Sequence, residues 1–225
     1  MFKRNKDNIP PVGKINFGDF SRLKPISEDW GFGRGGAIDR YYIESFLKKH
    51  SKLIKGDCLE IKDDNYLNKF GSNKITHRDI LDIDSNNPKA TVFGDLANAH
   101  QLTSNTYDCF VLTQTLQLIF DLNSAIKHIY RILKPGGSLL LTLPGISHFP
   151  YNKDAPVRYW SFTESSVRRL LEDQFNKNNI QTEVFGNVKV VASFLYGLGV
   201  NELTKEDYEY QDPNYQLIIA AKAIK

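Results

Sequence analysis

Long apolar runs are missing from this 225-residue chain, and so is any excess of charge of one sign. No stretch approaches the ~20 consecutive apolar residues that cross a bilayer, so a membrane span is not expected. Lys and Arg number 29 against 26 Asp and Glu, a formal net charge of +3. With so small a surplus and no basic stripe interleaved with aromatics, a nucleic-acid partner is not expected. Cysteine is nearly absent. Cys58 and Cys109 each sit in apolar, strand-like sequence, which suits buried free thiols in a reducing compartment. Two isolated thiols are too few for a metal centre, and none is expected. The basic start, Met1 to Arg4, meets Asp7 and Pro10-Pro11 without an apolar segment between. A secretory signal is therefore not expected, and a cytoplasmic location is.

What is there suits one domain, since two would be cramped at this length. Residues 1–38, with Pro10-Pro11, Pro25 and the glycines from Gly31 to Gly36, read as an irregular arm of the same unit, and 39–225 as the domain proper. Asp39 is suited to cap a helix whose Tyr42, Ile43, Phe46 and Leu47 recur at helical spacing. From residue 57 strands and helices alternate. Strands are predicted over 57–61, 75–80, 90–94 and 107–113, the last apolar throughout, as a central parallel strand buried on both faces should be. A brief helix over 65–70 ends at Gly71. A longer one over 123–133 stops at Lys134-Pro-Gly-Gly137, because proline cannot continue the ladder. Strand 138–143, a helix opened by Thr163, a helical stretch near 190–203 and final strands over 181–185 and 216–223 complete the pattern. This predicts an α/β fold: a Rossmann-like, mostly parallel seven-stranded sheet with an antiparallel last strand and helices on both faces. Ligands of such sheets lie beyond the carboxyl ends of the strands.

The residues at those ends carry a resemblance. The succession Cys58-Leu-Glu-Ile61, Asp79, Gly94-Asp-Leu96, Tyr107-Asp108 and Ile132-Leu-Lys-Pro-Gly-Gly137 resembles the class I S-adenosylmethionine-dependent methyltransferases. The phrases Ile38-Asp-Arg-Tyr-Tyr-Ile-Glu44, Leu112-Thr-Gln-Thr-Leu-Gln117 and Leu143-Pro-Gly-Ile-Ser147 are similar to those of small bacterial-type methyltransferase-domain proteins associated with glycan building. The resemblance spans nearly the whole chain. It implies S-adenosylmethionine as cofactor, S-adenosylhomocysteine as product, and O-methylation of a small molecule or glycan, with a sugar hydroxyl preferred.

Each position also has its own rationale. The cofactor offers an ammonium, a ribose diol and an adenine amine, all donors. Glu60, with Ile61 and Lys62 beside it, is expected at the ammonium. Asp79 and Ile80, about twenty residues on, are expected at the ribose. Gly94, Asp95 and Leu96 are expected at the adenine, and Thr113 and Gln114 as the floor. An acceptor hydroxyl gains from a base, for which His148 and Asp154 are candidates. Arg40, Tyr41, Tyr42, Tyr151, Tyr159 and Trp160 are expected to bind the acceptor.

One departure bears on all of this. The family's first loop is glycine-rich, because its backbone takes positive φ and approaches the ligand closely. Here it reads Glu60-Ile-Lys-Asp-Asp-Asn-Tyr66, with no glycine. Lys62 stands where relatives usually keep the first one, either occupying the cofactor's carboxylate site or pairing with that carboxylate. The alternative expectation is a degenerate methyltransferase fold serving as a binding or scaffold module. Asp212-Pro-Asn-Tyr215 resembles the signature of amine-methylating enzymes, but it lies before the last strand instead of after the fourth, and reads as a turn.

Overall fold

A computed structural model describes residues 9–71, 73–150 and 156–225. Its elements run α1 (Ile38–Lys49), β1 (Gly56–Ile61), α2 (Asn65–Phe70), β2 (Ile75–Asp82), β3 (Val92–Phe93), β4 (Tyr107–Thr113), α3 (Leu122–Ile132), β5 (Leu133–Pro144), α4 (Glu164–Glu172), β6 (Ile180–Phe185), α5 (Val188–Leu195), α6 (Lys205–Glu209) and β7 (Ile218–Ile224). One seven-stranded sheet takes the order β3-β2-β1-β4-β5-β7-β6. Only β7 is reversed, pairing antiparallel with both β5 and β6. The parallel strands therefore all end on one rim.

Alternation in the central strand divides the core. Phe110 and Leu112 of β4 face a layer with Ile126 and Ile129 of α3 and Val167 and Leu171 of α4. Cys109 and Val111 face the opposite layer, with Tyr42 and Phe46 of α1 and Val190 and Phe194 of α5. Successive strand residues point to opposite faces, so a strand covered on both sides must be apolar throughout. Cys58 and Cys109, in register on β1 and β4, are free and buried.

Four expectations change. Ala37, not Asp39, holds the N-cap position of α1, and no side chain caps it; Asp39 lies inside the first turn. Strand β2 runs on to Asp82. The expected third strand is reduced to Val92–Phe93. The stretch near 190–203 splits into α5, a single turn at Val200–Glu202, and α6. The arm is tied to these last elements: Ile26 N–H donates to the Tyr196 carbonyl at 2.8 Å and Val200 N–H to the Gly36 carbonyl at 2.8 Å. Tyr196 also donates its hydroxyl to the Phe20 carbonyl, at 2.6 Å. This brings Trp30 and Phe32 over the sheet's rim.

Candidate active site

Two adjoining cavities open at the rim. The larger, about 1060 Å³, lies over the ends of β1, β2 and β4 and is lined by Glu60, Ile61, Lys62, Asp82, Ile83, Gly94, Asp95, Leu96, Thr113 and Gln114, among others. The smaller, about 490 Å³, lies between the arm, the start of α1 and the loop after β5. Phe32, Arg40, Gln114 and Leu118 line both.

The loop after β1 explains how the cleft forms without glycine. Lys62 holds φ +72°, the left-handed backbone that a glycine would adopt freely and that costs another residue roughly 1–2 kcal/mol. Its N–H donates to the Leu81 carbonyl at 3.0 Å, and Asn87 Nδ2 donates to its carbonyl at 2.7 Å. Glu60 is buried, 3% exposed, because the chain turns into α2 directly above it. Its Oε1 accepts from the Tyr66 N–H at 3.1 Å and its Oε2 from the Leu67 N–H at 2.8 Å. The carboxylate thus caps α2 from outside the helix, while Asp64 at the N-cap position makes no side-chain capping bond. Burial pushes Glu60 up to about 8, the two amide bonds pulling the other way.

Asp82 is the acid at the end of β2. Its Oδ2 accepts from Asn87 Nδ2 at 2.6 Å, and its Oδ1 from the Asp84 N–H at 3.0 Å. Asp79 sits level with Leu59, within the paired strand. Its oxygens accept from the Thr91 hydroxyl at 2.7 Å and the Tyr107 hydroxyl at 2.9 Å, and it does not line the cleft; nor does Ile80. The expectation of Asp79 and Ile80 at the rim is corrected to Asp82 and Ile83. Asp95 lies at the cleft and accepts from the Ala97 N–H at 2.9 Å, which turns the chain so that Leu96 faces the cleft too. Glu44, Asp63 and Asp121 add further negative charge, against Arg40, Lys62 and Lys69. The set suits a cationic nucleoside.

The smaller cavity brings together polar residues that the sequence did not pair. Its walls include Trp30, Phe32, Pro144, Phe194, Leu217 and Ile218. Into this apolar setting come Asp39, Gln114, Gln117 and Arg158, and each keeps one buried side-chain atom without a hydrogen-bond partner: Asp39 Oδ1, Gln114 Nε2, Gln117 Oε1 and Arg158 Nε. Buried polar atoms left unpaired are uncommon and costly. Asp39 is 9% exposed; burial raises its pKa, with Arg40 and Arg158 opposing. Gln114 holds φ +47° and Trp30 φ +58°, so strained backbone gathers at these cavities, as it does at functional sites.

Several expected acceptor residues lie elsewhere. Tyr42 is a core residue, its hydroxyl donating to the Tyr208 carbonyl at 3.2 Å. Tyr41 stacks on Tyr208 at 4.0 Å between centroids. Trp160 donates its indole N–H to the Ile119 carbonyl at 2.9 Å and packs against the core. Tyr159 lines the larger cleft, and Arg40 both cavities. His148 stacks on Trp30 at 4.8 Å and is not one of the lining residues; burial and then Arg158 lower its pKa. Tyr151 and Asp154 lie outside the described residues. Among the described residues no cluster of His, Cys, Asp or Glu fits a metal ion, and no helix is long and apolar enough to cross a membrane.

The strand order, with β7 alone reversed, makes a Rossmann-like fold that this chain shares with solved methyltransferases. Residues 69–141 match the family model described as a methyltransferase domain, a segment that begins just after the divergent loop. Over 47 residues the chain is 47% identical to the ubiquinone/menaquinone biosynthesis C-methyltransferase of Haemophilus ducreyi; this covers 20% of the chain and only 18% of that protein. A S-adenosylmethionine-dependent methyltransferase from Archaeoglobus fulgidus superposes with a TM-score of 0.55 at 12% identity, over 83% of this chain and 94% of that one. Haemonchus contortus phosphoethanolamine N-methyltransferase 2 in complex with S-adenosylmethionine does so with 0.55 at 14% identity, over 93% of this chain and 55% of that one. At such identities the structural likeness shows the fold.

Proposed function

We propose that this chain is an S-adenosylmethionine-dependent O-methyltransferase acting on a small molecule, with Asp39 as the base. One observation carries the reading. The acid-lined cleft adjoins an apolar cavity holding a buried carboxylate, and Gln114 lines both. Glu60, Asp82 and Asp95 with Leu96 would hold the ammonium, ribose and adenine. When bound, the cofactor would supply a methyl group on positively charged sulfur. The acceptor then needs positioning and the loss of a proton. Apolar walls keep water from the acceptor oxygen, Gln114 and Gln117 orient it, and Asp39 Oδ1 accepts its proton. Because burial raises the affinity of Asp39 for that proton, it is a stronger base than an ordinary carboxylate.

The names of the relatives mention C- and N-methylation, so the fold does not dictate the atom methylated. A saccharide hydroxyl, implied by the resemblance, draws support from the aromatic faces of Trp30 and Phe32. The scaffold reading loses its motive, because Lys62 takes the left-handed backbone itself and an open cleft remains beside it. Titration calorimetry with S-adenosylhomocysteine tests the first half of the proposal, and transfer of labelled methyl to a panel of hydroxyl acceptors tests the second. Absence of heat at millimolar ligand would sink the enzymatic reading.

A further inference from the structure

We propose that the acceptor carries a carboxylate and that Arg158 binds it; this rests on the reading of the smaller cavity as the acceptor site. Arg158 follows the loop after β5 and is half-buried against the cavity wall. Its Nη1 donates to the His148 carbonyl at 3.0 Å and to the Ser147 hydroxyl at 3.3 Å, and its guanidinium lies over the Phe149 ring at 5.3 Å. These contacts fix the group in place but leave Nε buried without a partner. Among the described residues no carboxylate lies within 4 Å of it; Asp39 acts on it only at longer range. A guanidinium so held beside an apolar cavity, its Nε buried and unpaired, matches a planar carboxylate.

The other unpartnered atoms sort the rest of the ligand. Gln114 Nε2 is a second donor, while Asp39 Oδ1 and Gln117 Oε1 are acceptors. A molecule offering an anion to the two donors and a hydroxyl to Asp39 Oδ1 would satisfy three of the four, with an apolar body along Trp30, Phe194 and Leu217. A phosphate dianion would call for a second cation. Arg40, the other cation at the cavity, is already engaged by the Tyr66 hydroxyl at 3.2 Å and lies 3.8 Å from Asp39. Carboxylate is the better match.

The test uses the protein saturated with S-adenosylhomocysteine and titrates the three isomeric hydroxyphenylacetates, their amides and 4-hydroxybenzylphosphonate by calorimetry. At least one acid should bind tenfold or more tightly than its amide and than the phosphonate. Arg158→Gln should remove that preference while leaving S-adenosylhomocysteine affinity unchanged, and Arg158→Lys should restore part of it. Amides binding as well as acids, no acid binding at 10 mM, or an unchanged preference in Arg158→Gln would each overturn the proposal. Tighter phosphonate binding would overturn the carboxylate assignment. A residue that merely braced the loop would not move an acid-to-amide ratio. Failure to bind S-adenosylhomocysteine at all would strike the broader reading first, so the two failures are distinguishable.

Discussion

The two cavities are built in opposite ways. The cleft is assembled from residues that follow one another along the chain, each at the carboxyl end of a strand: Glu60, Asp82, Asp95, Thr113. Its polar groups are already tied into the backbone, with Glu60 capping α2 and Asp95 turning the segment after β3. The smaller cavity draws Trp30, Asp39, Gln117 and Arg158 from four separated segments and leaves an atom on three of those four, and one on Gln114, without a partner. One region has tied its carboxylates into the backbone by folding. The other, which shares Gln114 with it, leaves four buried polar atoms unpaired.

The sharpest way to break that comparison is Asp39→Asn. If Asp39 takes the acceptor's proton, turnover should fall by about 10²–10⁴-fold, the usual range for a general base, while calorimetry finds S-adenosylhomocysteine affinity unchanged. The pH profile gives a second reading of the same residue. Burial raises the Asp39 pKa, and the base works when ionised, so kcat should climb with pH through a midpoint above the ordinary carboxylate value of about 4. Wild-type turnover in Asp39→Asn would return the base to His148 or to the segment around Asp154.

A smaller effect separates the two acids of β2. Asp82→Ala should weaken S-adenosylhomocysteine binding at least tenfold, about 1.4 kcal/mol. Asp79→Ala should leave that affinity within about twofold, yet cost roughly 1–3 kcal/mol in urea unfolding, because the Tyr107 hydroxyl loses its acceptor. The reverse pattern would restore Asp79 to the site.

These two residues also show what the sequence could and could not reveal. The strand–helix rhythm, apolar β4 and the stop at Lys134-Pro-Gly-Gly137 follow from periodicity, so the sheet and most of the cleft were legible. The end of β2 was not. Thr76, His77 and Arg78 are exposed on it, so polarity marks neither its course nor its end, and the rim moved from Asp79 to Asp82. Asp39 was misread for a related reason: an acid at the start of an amphipathic helix looks like a cap, and only the packing of the arm across the sheet reveals that it is buried. Gln117 stood in a quoted motif, but no periodic signal pairs it with Arg158, 41 positions later.

Glu60 supplies a test of several-fold size. With its pKa raised to about 8, it is about one-hundredth ionised at pH 6 and about one-tenth at pH 7. A ligand ammonium, still protonated over that interval, prefers the ionised form, so binding should release a proton and S-adenosylmethionine affinity should rise, up to about ninefold, between pH 6 and pH 7. Calorimetry in two buffers of different ionisation enthalpy would reveal the proton. A flat profile would mean that the amides of Tyr66 and Leu67 already keep Glu60 ionised, and that the cleft is more fully pre-organised than its burial suggests.

The smallest expected effect is at Lys62. Replacing it by glycine removes left-handed strain of roughly 1–2 kcal/mol, but the looser unfolded chain takes back about 0.4–1 kcal/mol. Lys62→Gly should therefore raise the urea midpoint by an amount equivalent to no more than about 1.6 kcal/mol, with S-adenosylhomocysteine affinity within threefold of wild type. That outcome would make the lysine a tolerated residue on a backbone path that suits glycine, held by the Leu81 and Asn87 bonds that glycine would also make. A tenfold loss of affinity at unchanged or higher stability would say instead that its ammonium meets the cofactor's carboxylate. The cleft would then hold a second group, besides Gln114, that meets a ligand, and the contrast between the two cavities would narrow to the smaller one's greater number of unpaired groups.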